Sequence, residues 1–433
     1  MNVISHNLLS FIKNSPSPFH VILSIKKILN REGFIQLFEN QEWNLEKGKN
    51  YYVTKNDSSI IAFKVGELLD NYEFNVVASH SDSPSFKIKP HADLHVEGYH
   101  KINVEAYGGL LAATWFDRPL SIAGRVMTLN DDKIEAHLVS LDKNLLCIPS
   151  VPIHFNRLAN DGYKYDFAVD MFPTISENKG ELVDLIANNL KINKEDILNY
   201  DLFVYNCQEG YAWGENEEFI SSPKLDDLQC AYTTLMGFTK SSNSHNVSVY
   251  CCFDNEEVGS LTLQGARSRF LDNTLRRISL ALGKDENSHQ QALGNSFLVS
   301  ADNAHASHPN HPELVDPVSR VFMNKGIVIK FNAAQSYSSD SISSAIFMKI
   351  CKNVNVPYQI FTNKSGTRGG GTLGNLSIGQ VSINTVDIGL AQLAMHSCFE
   401  TSGTIDNEYM QMAIKEFYDN YIVYENDNVN LCK

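Results

Sequence analysis

The hydrophobic and polar positions of this chain follow two periods, which predict helices and strands. Near the N-terminus, apolar residues recur at helical spacing over positions 8–12 and 21–29, and the prolines within residues 14–18 separate these two predicted helices. Later in the chain, short apolar runs typical of buried strands alternate with helical segments, as in residues 227–240 and 247–253. Such alternation is typical of an α/β fold with a mostly parallel sheet flanked by helices.

The middle of the chain has a different pattern. Between residues 91 and 220, polar and apolar residues alternate with period two, and Asn130, Asp131 and Asp132 form a predicted hairpin turn. One helical patch at residues 182–190 interrupts this β-rich stretch. The pattern therefore predicts one α/β domain, made of residues 1–90 and 221–433, with an inserted β-rich second domain at residues 91–220.

Candidate metal ligands stand at the ends of predicted strands or beside a predicted helix. They are His80, Asp226, Glu256, Glu257, Asp302 and His396. In open α/β sheets, ligands bind in the crevice outside the C-terminal ends of the strands, so we expect these side chains to converge. Imidazole and carboxylate groups suit zinc, and they also suit cobalt or manganese.

The number of these ligands fits two metal ions. With one carboxylate bridging, five residues give each ion three protein ligands and leave an open position for a shared water, as in catalytic sites. Glu256 and Glu257 are neighbours that point in different directions, so one can bind metal while the other faces the reacting water. Asp82 is placed to accept the second ring N–H of His80.

Each of these residues also has an ordinary structural interpretation. A pair of glutamates is usually a solvated acidic turn, and a single histidine or aspartate at a strand end is usually a capping or surface residue. His305, His308 and His311 form another cluster, but Pro309 and Pro312 beside them favour a rigid loop over metal binding. Only the whole set of candidates favours a metal centre.

Composition and charge narrow the classes of function. The chain has 433 residues with 36 Lys plus Arg and 50 Asp plus Glu, for a net charge of −14, which argues against partners such as nucleic acid or anionic membranes. No run of eighteen apolar residues predicts a membrane span, and the start lacks a secretory pattern. Eight scattered cysteines without CxxC spacing are typical of a reducing compartment, which predicts a cytoplasmic protein.

Five ordered sequence motifs resemble those of the aspartyl aminopeptidase family. They are ASHSDSP at residues 78–84, KLDDL at 224–228, FDNEEVGS at 253–260, SADNAH at 300–305 and LAMHS at 393–397. The segment NSPSPFH at residues 14–20 also looks like this family's N-terminal signature. Phe399 and Ala391 depart from residues common in the family, but neither position is a candidate ligand.

The resemblance implies a zinc exopeptidase fold with two metal ions per subunit and specific roles for the candidate residues. Asp226 would be the bridging ligand, with His80 and Asp302 on one metal and Glu257 and His396 on the other. Glu256 would be the general base for a metal-bound hydroxide. The implied activity is release of the N-terminal residue, preferentially Asp or Glu, from short peptides.

The same resemblance assigns residues outside the metal ligands. His154 would reach a neighbouring subunit's active site, in dimers that assemble into a tetrahedral dodecamer. Lys330 would hold an acidic substrate side chain, whereas without the resemblance it is equally an exposed salt-bridge lysine. The glycine-rich residues 367–374 lack the order of a phosphate-binding loop, and we expect them to form backbone of the substrate pocket.

Two other functions stay open at this stage. The same metal site with a different pocket would give a deacylase or carboxypeptidase acting on N-acyl amino acids. A non-enzymatic assembly scaffold is the third interpretation. The presence of Glu256 together with all five ligands argues against an inactive scaffold.

Overall fold

The computed structural model describes residues 2–70, 72–177, 179–242, 244–367, 369–425 and 428–433. Within these residues the helices are α1 (Val3–Lys13), α2 (Pro18–Arg31), α3 (Phe167–Asp170), α4 (Leu182–Leu190), α5 (Leu225–Lys240), α6 (Phe270–Ala281), α7 (Glu286–Asn295), α8 (Ser341–Asn353), α9 (Leu373–Ile378) and α10 (Asp406–Asp419). The two helices predicted at the N-terminus are therefore confirmed. None of the helices in these ranges is long and apolar enough to cross a membrane.

The described strands form four sheets. In chain order they are β1 (Ile35–Leu37), β2 (Asn50–Lys55), β3 (Ser59–Val65), β4 (Phe74–His80), β5 (Ser85–Val96), β6 (Tyr99–Tyr107), β7 (Leu120–Asn130), β8 (Lys133–Ser140), β9 (Thr174–Ser176), β10 (Ile197–Asn206), β11 (Tyr211–Trp213), β12 (Phe219–Ser222), β13 (Val247–Phe253), β14 (Phe297–Ala301), β15 (Ala304–His305), β16 (Ile327–Phe331), β17 (Tyr358–Thr362), β18 (Asn384–Gly389), β19 (Ala391–Leu393), β20 (Glu400–Gly403), β21 (Tyr421–Glu425) and β22 (Asn428–Cys432).

The largest sheet has nine strands and is mixed. Its order is β1-β2-β3-β13-β4-β14-β18-β16-β17. The central strands β13, β4, β14 and β18 run parallel, but β3 is antiparallel to both of its neighbours and β16 is antiparallel to β18. The α/β class is confirmed, and the predicted mostly parallel sheet is observed as a mixed one, in which five of the eight strand pairings are parallel and three are antiparallel. One reason is local: the short connection between β2 and β3 permits only antiparallel pairing.

Both faces of this sheet are buried, which explains its continuous apolar strands. All seven residues of β13 are buried, and they alternate between two cores. Tyr250 packs in the core that contains α1, α2, α5, α8 and α10, and Val249 packs in the core that contains α6 and α7. A strand covered by helices on each face needs apolar residues at every position rather than at every second one.

A second sheet has six strands, in the order β8-β7-β10-β5-β6-β9, and a core of its own. The predicted hairpin turn is confirmed, because β7 and β8 pair antiparallel and Asp131 has a left-handed backbone with φ 51°. The first strand of this sheet begins at Ser85, so it starts before residue 91. The division into domains at residues 90 and 220 stays a prediction.

Candidate metal centre

Three adjacent strands of the large sheet bring most of the candidate ligands together. Strands β13, β4 and β14 are neighbours and run parallel, so their C-terminal ends meet at one edge. His80 is the last residue of β4 and lies opposite Phe253 of β13, which Glu256 and Glu257 follow. Asp302 follows the end of β14. The expected convergence at the strand ends is therefore observed.

Asp226 occupies the centre of the cluster. Its backbone at the start of α5 is not helical, and its side chain is buried. Oδ1 of Asp226 lies 3.4 Å from Nε2 of His80, and Oδ2 lies 3.8 Å from Nε2 of His396. Oδ1 has no hydrogen-bond partner among the described residues. A buried carboxylate oxygen without a donor is suited to a cation.

The cluster contains two ligand groups that share Asp226. His80, Asp226 and Asp302, with Asp227, form one group, and Asp226, Glu257 and His396 form the other; in each, the potential ligand atoms lie within 4.8 Å of one another. We call the set His80, Asp226 and Asp302 the His80 half. The set Asp226, Glu257 and His396 is the His396 half, in which Nε2 of His396 lies 3.4 Å from Oε2 of Glu257. All five predicted ligands are thus brought together.

The charges in the cluster also fit cations. Burial, opposed by His80 and reinforced by the nearby Asp302 carboxylate, raises the pKa of Glu256 to about 8. Burial and the charge of Asp226 raise the pKa of Glu257 well above its usual range. Carboxylates packed this closely repel one another when all are ionised, and divalent cations would supply the missing positive charge.

Asp82 connects the cluster through its carboxylate. Its Oδ1 accepts the backbone N–H of Glu256 and its Oδ2 accepts that of Glu257, both at 3.1 Å. Nδ1 of His80 lies 3.1 Å from the Asp82 carbonyl oxygen and 3.3 Å from Oδ1. Tyr107 completes the set by donating its hydroxyl hydrogen to Oδ2 at 2.7 Å. Asp82 therefore lies beside His80, as expected, and it also holds both glutamates.

A cleft with a cavity volume of about 130 Å³ opens in front of the cluster. Glu256 lines it together with Lys330, Tyr337 and the glycine-rich residues Gly370 and Gly371. We expected residues 367–374 to form backbone of the substrate pocket, and among the described residues of this loop Gly370, Gly371 and Thr372 line the cleft. Arg368 lies outside the described residues.

A family model decides what kind of protein carries this centre. The model for "Aminopeptidase I zinc metalloprotease (M18)" matches residues 11–418. The chain belongs to the M18 family of zinc metallo-aminopeptidases. It is therefore a metallo-aminopeptidase, a peptide hydrolase, as the resemblance to aspartyl aminopeptidases predicted.

Individual M18 relatives match along almost the whole chain. A "Probable M18 family aminopeptidase 2" of Clostridium novyi is 45% identical, over 96% of this chain and 98% of its own. An "Aspartyl aminopeptidase" of Dictyostelium discoideum is 36% identical, over 95% of this chain and 96% of its own. The solved "mApe1 dodecamer" of S. cerevisiae superposes with a TM-score of 0.85 at 25% identity, covering 96% of each chain.

Two predicted M18 site residues are not themselves metal ligands. Lys330 is 2% exposed, and its Nζ lies 3.3 Å from Oδ2 of Asp302 and 3.0 Å from the carbonyl oxygen of Asn303. Lys330 is thus a buried lysine that also faces the cleft, rather than an exposed salt-bridge lysine. His154 lies in an exposed turn, and no described contact joins it to the cluster of its own chain.

The structure adds Glu400 and Asp227 to the M18 centre. Glu400 is 1% exposed, and its carboxylate accepts the backbone N–H of Asp226 at 3.0 Å and that of His396 at 2.7 Å. Asp227 accepts the backbone N–H of His80 at 3.2 Å. Sequence reasoning missed both, although Asp227 lies inside the KLDDL motif and Glu400 comes shortly after the LAMHS motif. Their position close to a ligand was the only signal that the sequence offered.

Proposed function

We propose that this aminopeptidase holds two zinc ions with Asp226 shared between them. His80 and Asp302 would complete one site, and Glu257 and His396 would complete the other. The observation that carries the proposal is the orientation of the Asp226 carboxylate, which turns Oδ1 towards His80 and Oδ2 towards His396. A carboxylate that presents one oxygen to each ligand group is suited to bridge two cations.

The chain's own residues supply the proton transfer. When bound, the two cations would polarise the scissile carbonyl and lower the pKa of the attacking water. Glu256 accepts the proton of that water on its carboxylate and passes it to the leaving amine. Asp82 holds Glu256 in position through the backbone N–H of Glu256. Positive charge beside Glu256 would lower its raised pKa towards neutrality, which favours a general base.

The proposed substrates are short peptides with an N-terminal Asp or Glu. Lys330 faces the cleft, and its two described hydrogen bonds leave one of the three ammonium donors for an acidic side chain. The name of the Dictyostelium relative supports the same preference. A deacylase or carboxypeptidase function has no observation in its favour here.

A panel of aminoacyl anilides, with metal analysis of the same sample, tests this function. We expect two zinc ions per chain and a kcat/KM for Asp and Glu anilides at least tenfold above that for Asn and Ala anilides. Preference for neutral residues would contradict the acidic specificity. Hydrolysis of N-acyl amino acids with no anilide turnover would contradict the aminopeptidase mechanism itself.

We propose that His154 acts in a neighbouring subunit and that the assembly is a dodecamer built from dimers. Support comes from the turn itself, where Ile153 and Phe155 flank His154 and Phe155 is 86% exposed. Large apolar side chains at a surface are suited to an interface. The S. cerevisiae relative is described as a dodecamer. Such an enclosed assembly would admit short peptides and exclude folded proteins.

Subunit mixing tests the role of His154. Neither a His154→Phe nor a Glu256→Gln assembly should be active alone. Mixed assemblies should regain activity, because some sites receive an intact base from one chain and an intact histidine from the other. Absence of regained activity after verified subunit exchange would contradict the proposal.

We also propose a cytoplasmic location. The eight cysteines are all free thiols. Free thiols persist in a reducing compartment. Fractionation of cells that express the protein at its natural level tests the location, and recovery from a secreted or periplasmic fraction would contradict it.

A further inference from the structure

A short segment of the second sheet contacts the metal centre at several points. Strand β6 ends at Tyr107, and residues 108–111 follow it. We call residues 107–111 the brace. Its contacts reach Asp82, Glu257 and His396, which belong to distant parts of the chain.

The first contact runs through Tyr107. Its hydroxyl donates to Oδ2 of Asp82 at 2.7 Å and accepts the side-chain N–H of Asn255 at 2.8 Å. Oδ2 of Asp82 also accepts the backbone N–H of Glu257, and Oδ1 accepts that of Glu256. Because one carboxylate holds both glutamates, fixing Asp82 also fixes the base and its neighbouring ligand.

The second contact runs through the backbone at Gly109. Its carbonyl oxygen lies 2.9 Å from Nδ1 of His396. A carbonyl only accepts hydrogen bonds, so this contact favours the tautomer that carries hydrogen on Nδ1 and leaves Nε2 free for a cation. The backbone N–H of Leu111 donates to the His396 carbonyl oxygen at 3.0 Å, which holds the same residue from its main chain.

The third contact is steric and lies at Gly108. This glycine has φ 77°, and a Cβ placed there would lie 3.1 Å from Cβ of Glu257 and 3.5 Å from its Oε2. Any larger residue would therefore press against Glu257. The brace approaches the His396 half closely because glycine stands at this position.

We propose that the brace is a positioning element that sets the geometry of the His396 half and of Glu256. The inference rests on the metal ligands proposed above. The second sheet then contributes to a centre whose ligands come from strand ends of the large sheet, the start of α5 and the loop after β19. The cation in the His396 half should depend on the brace, whereas the cation in the His80 half should depend on it far less.

Gly108→Ala tests the steric contact, and Gly98→Ala is its matched control. Both glycines have a left-handed backbone, with φ 77° and 81°, but a Cβ at Gly98 would meet nothing within 4 Å. Cobalt titration of the metal-free proteins, followed by d–d absorption, measures each binding step without turnover. In Gly108→Ala the affinity of one cobalt-binding step should fall by roughly 10- to 100-fold, as for other contacts that orient metal ligands. The affinity of the other step should stay within about threefold of the wild-type value.

Tyr107→Phe tests the hydrogen bond to Asp82, and Tyr99→Phe on the same strand is its control because Tyr99 is 56% exposed. Removing a buried hydrogen bond to a charged group should lower kcat by roughly 10- to 100-fold with KM within about threefold. Tyr99→Phe should match the wild type. Thermal unfolding of the metal-free proteins identifies a variant that fails to fold, in which case the Gly108 comparison decides alone.

The outcomes separate this inference from the proposed function. Two binding steps and anilide turnover in the wild type support the function whatever the variants do. Gly108→Ala binding curves that match those of Gly98→Ala would overturn the brace, as would equal weakening of both steps. Unchanged kcat in Tyr107→Phe would overturn its part through Asp82.

Discussion

The two halves of the metal centre are built in different ways. In the His80 half, His80 is the last residue of β4 and its side chain is 1% exposed. In the His396 half, His396 lies in a loop with a left-handed backbone, φ 65°, and its side chain is 30% exposed. Strand ends in a large sheet are held by ladder hydrogen bonds, whereas a loop residue must be held by contacts from elsewhere.

This difference indicates which half is organised before metal binds. Ladder hydrogen bonds and two buried cores fix β4 and β14, so His80 and Asp302 start from rigid positions. His396 instead depends on Gly109 and Glu400, which come from other elements. We therefore expect the His80 half to bind its cation more tightly and the His396 half to lose its cation first.

Removing the shared ligand should abolish the difference between the two halves, since Asp226 belongs to both. Asp226→Ala should weaken both cations, and the activity loss should exceed the ~10²–10⁴-fold expected when proton transfer alone is removed. His396→Ala should chiefly weaken one cation. Elemental analysis of dialysed protein measures both. Wild-type metal content in the Asp226 variant would show that Asp226 is not shared.

Removing the base should leave both halves intact. Glu256→Gln keeps the size and burial of the side chain but cannot accept a proton, so kcat should fall by about 10²–10⁴-fold. Metal content should equal that of the wild type. Turnover close to wild type with both cations bound would contradict the role of Glu256.

Glu400→Gln should increase the difference in cation affinity between the two halves. Glutamine retains one acceptor oxygen and puts an N–H₂ group against the backbone N–H of Asp226 or His396. We expect roughly 10- to 100-fold weaker binding of the cation in the His396 half. The exposed Glu408→Gln variant is the control. Equal effects of Glu400→Gln on both binding steps would indicate that Glu400 acts on Asp226 alone.

The smallest expected effect is the pH dependence of stability in acid. It arises from His20, which lies outside both halves of the metal centre. Burial lowers the pKa of His20 in α2 to about 4, from the usual 6.5. As pH falls from 6.5 to 4, the unfolded chain takes up this proton before the folded protein does. The contribution of neutral His20 to the free energy of unfolding is therefore complete above pH 6.5 and is lost as the pH falls from 6.5 to 4.

Urea unfolding of the metal-free protein checks this sign. The free energy of unfolding of His20→Gln should depend less steeply on pH between 6.5 and 4 than that of the wild type. Equal slopes for the two proteins would show that His20 does not contribute to acid sensitivity.

The sequence predicted the residues whose position follows from strand periodicity. His80 and Asp302 come at or directly after buried apolar runs, and parallel neighbours must bring such ends together. The mixed order of the outer strands was missed, because apolar runs carry no strand direction. The two N-terminal helices were found because their apolar spacing is local.

The remaining site residues depend on contacts between distant segments, which periodicity does not reveal. Tyr107 reaches Asp82 only because the second sheet docks against the large one. Glu400 holds Asp226 through a contact between residues that are 174 positions apart in the sequence. The proposed role of His154 depends on another subunit, so a single chain does not test it.

The central claim is that Asp226 is shared and that the two halves bind their cations with unequal affinity. Its most direct test is a zinc anomalous difference map from crystals grown at one and at two equivalents of zinc. At one equivalent we predict a peak bounded by His80, Asp226 and Asp302. At two equivalents a second peak should join it between Asp226, Glu257 and His396. A first peak in the His396 half would contradict the difference between the halves, and peaks that do not contact Asp226 would contradict the shared ligand.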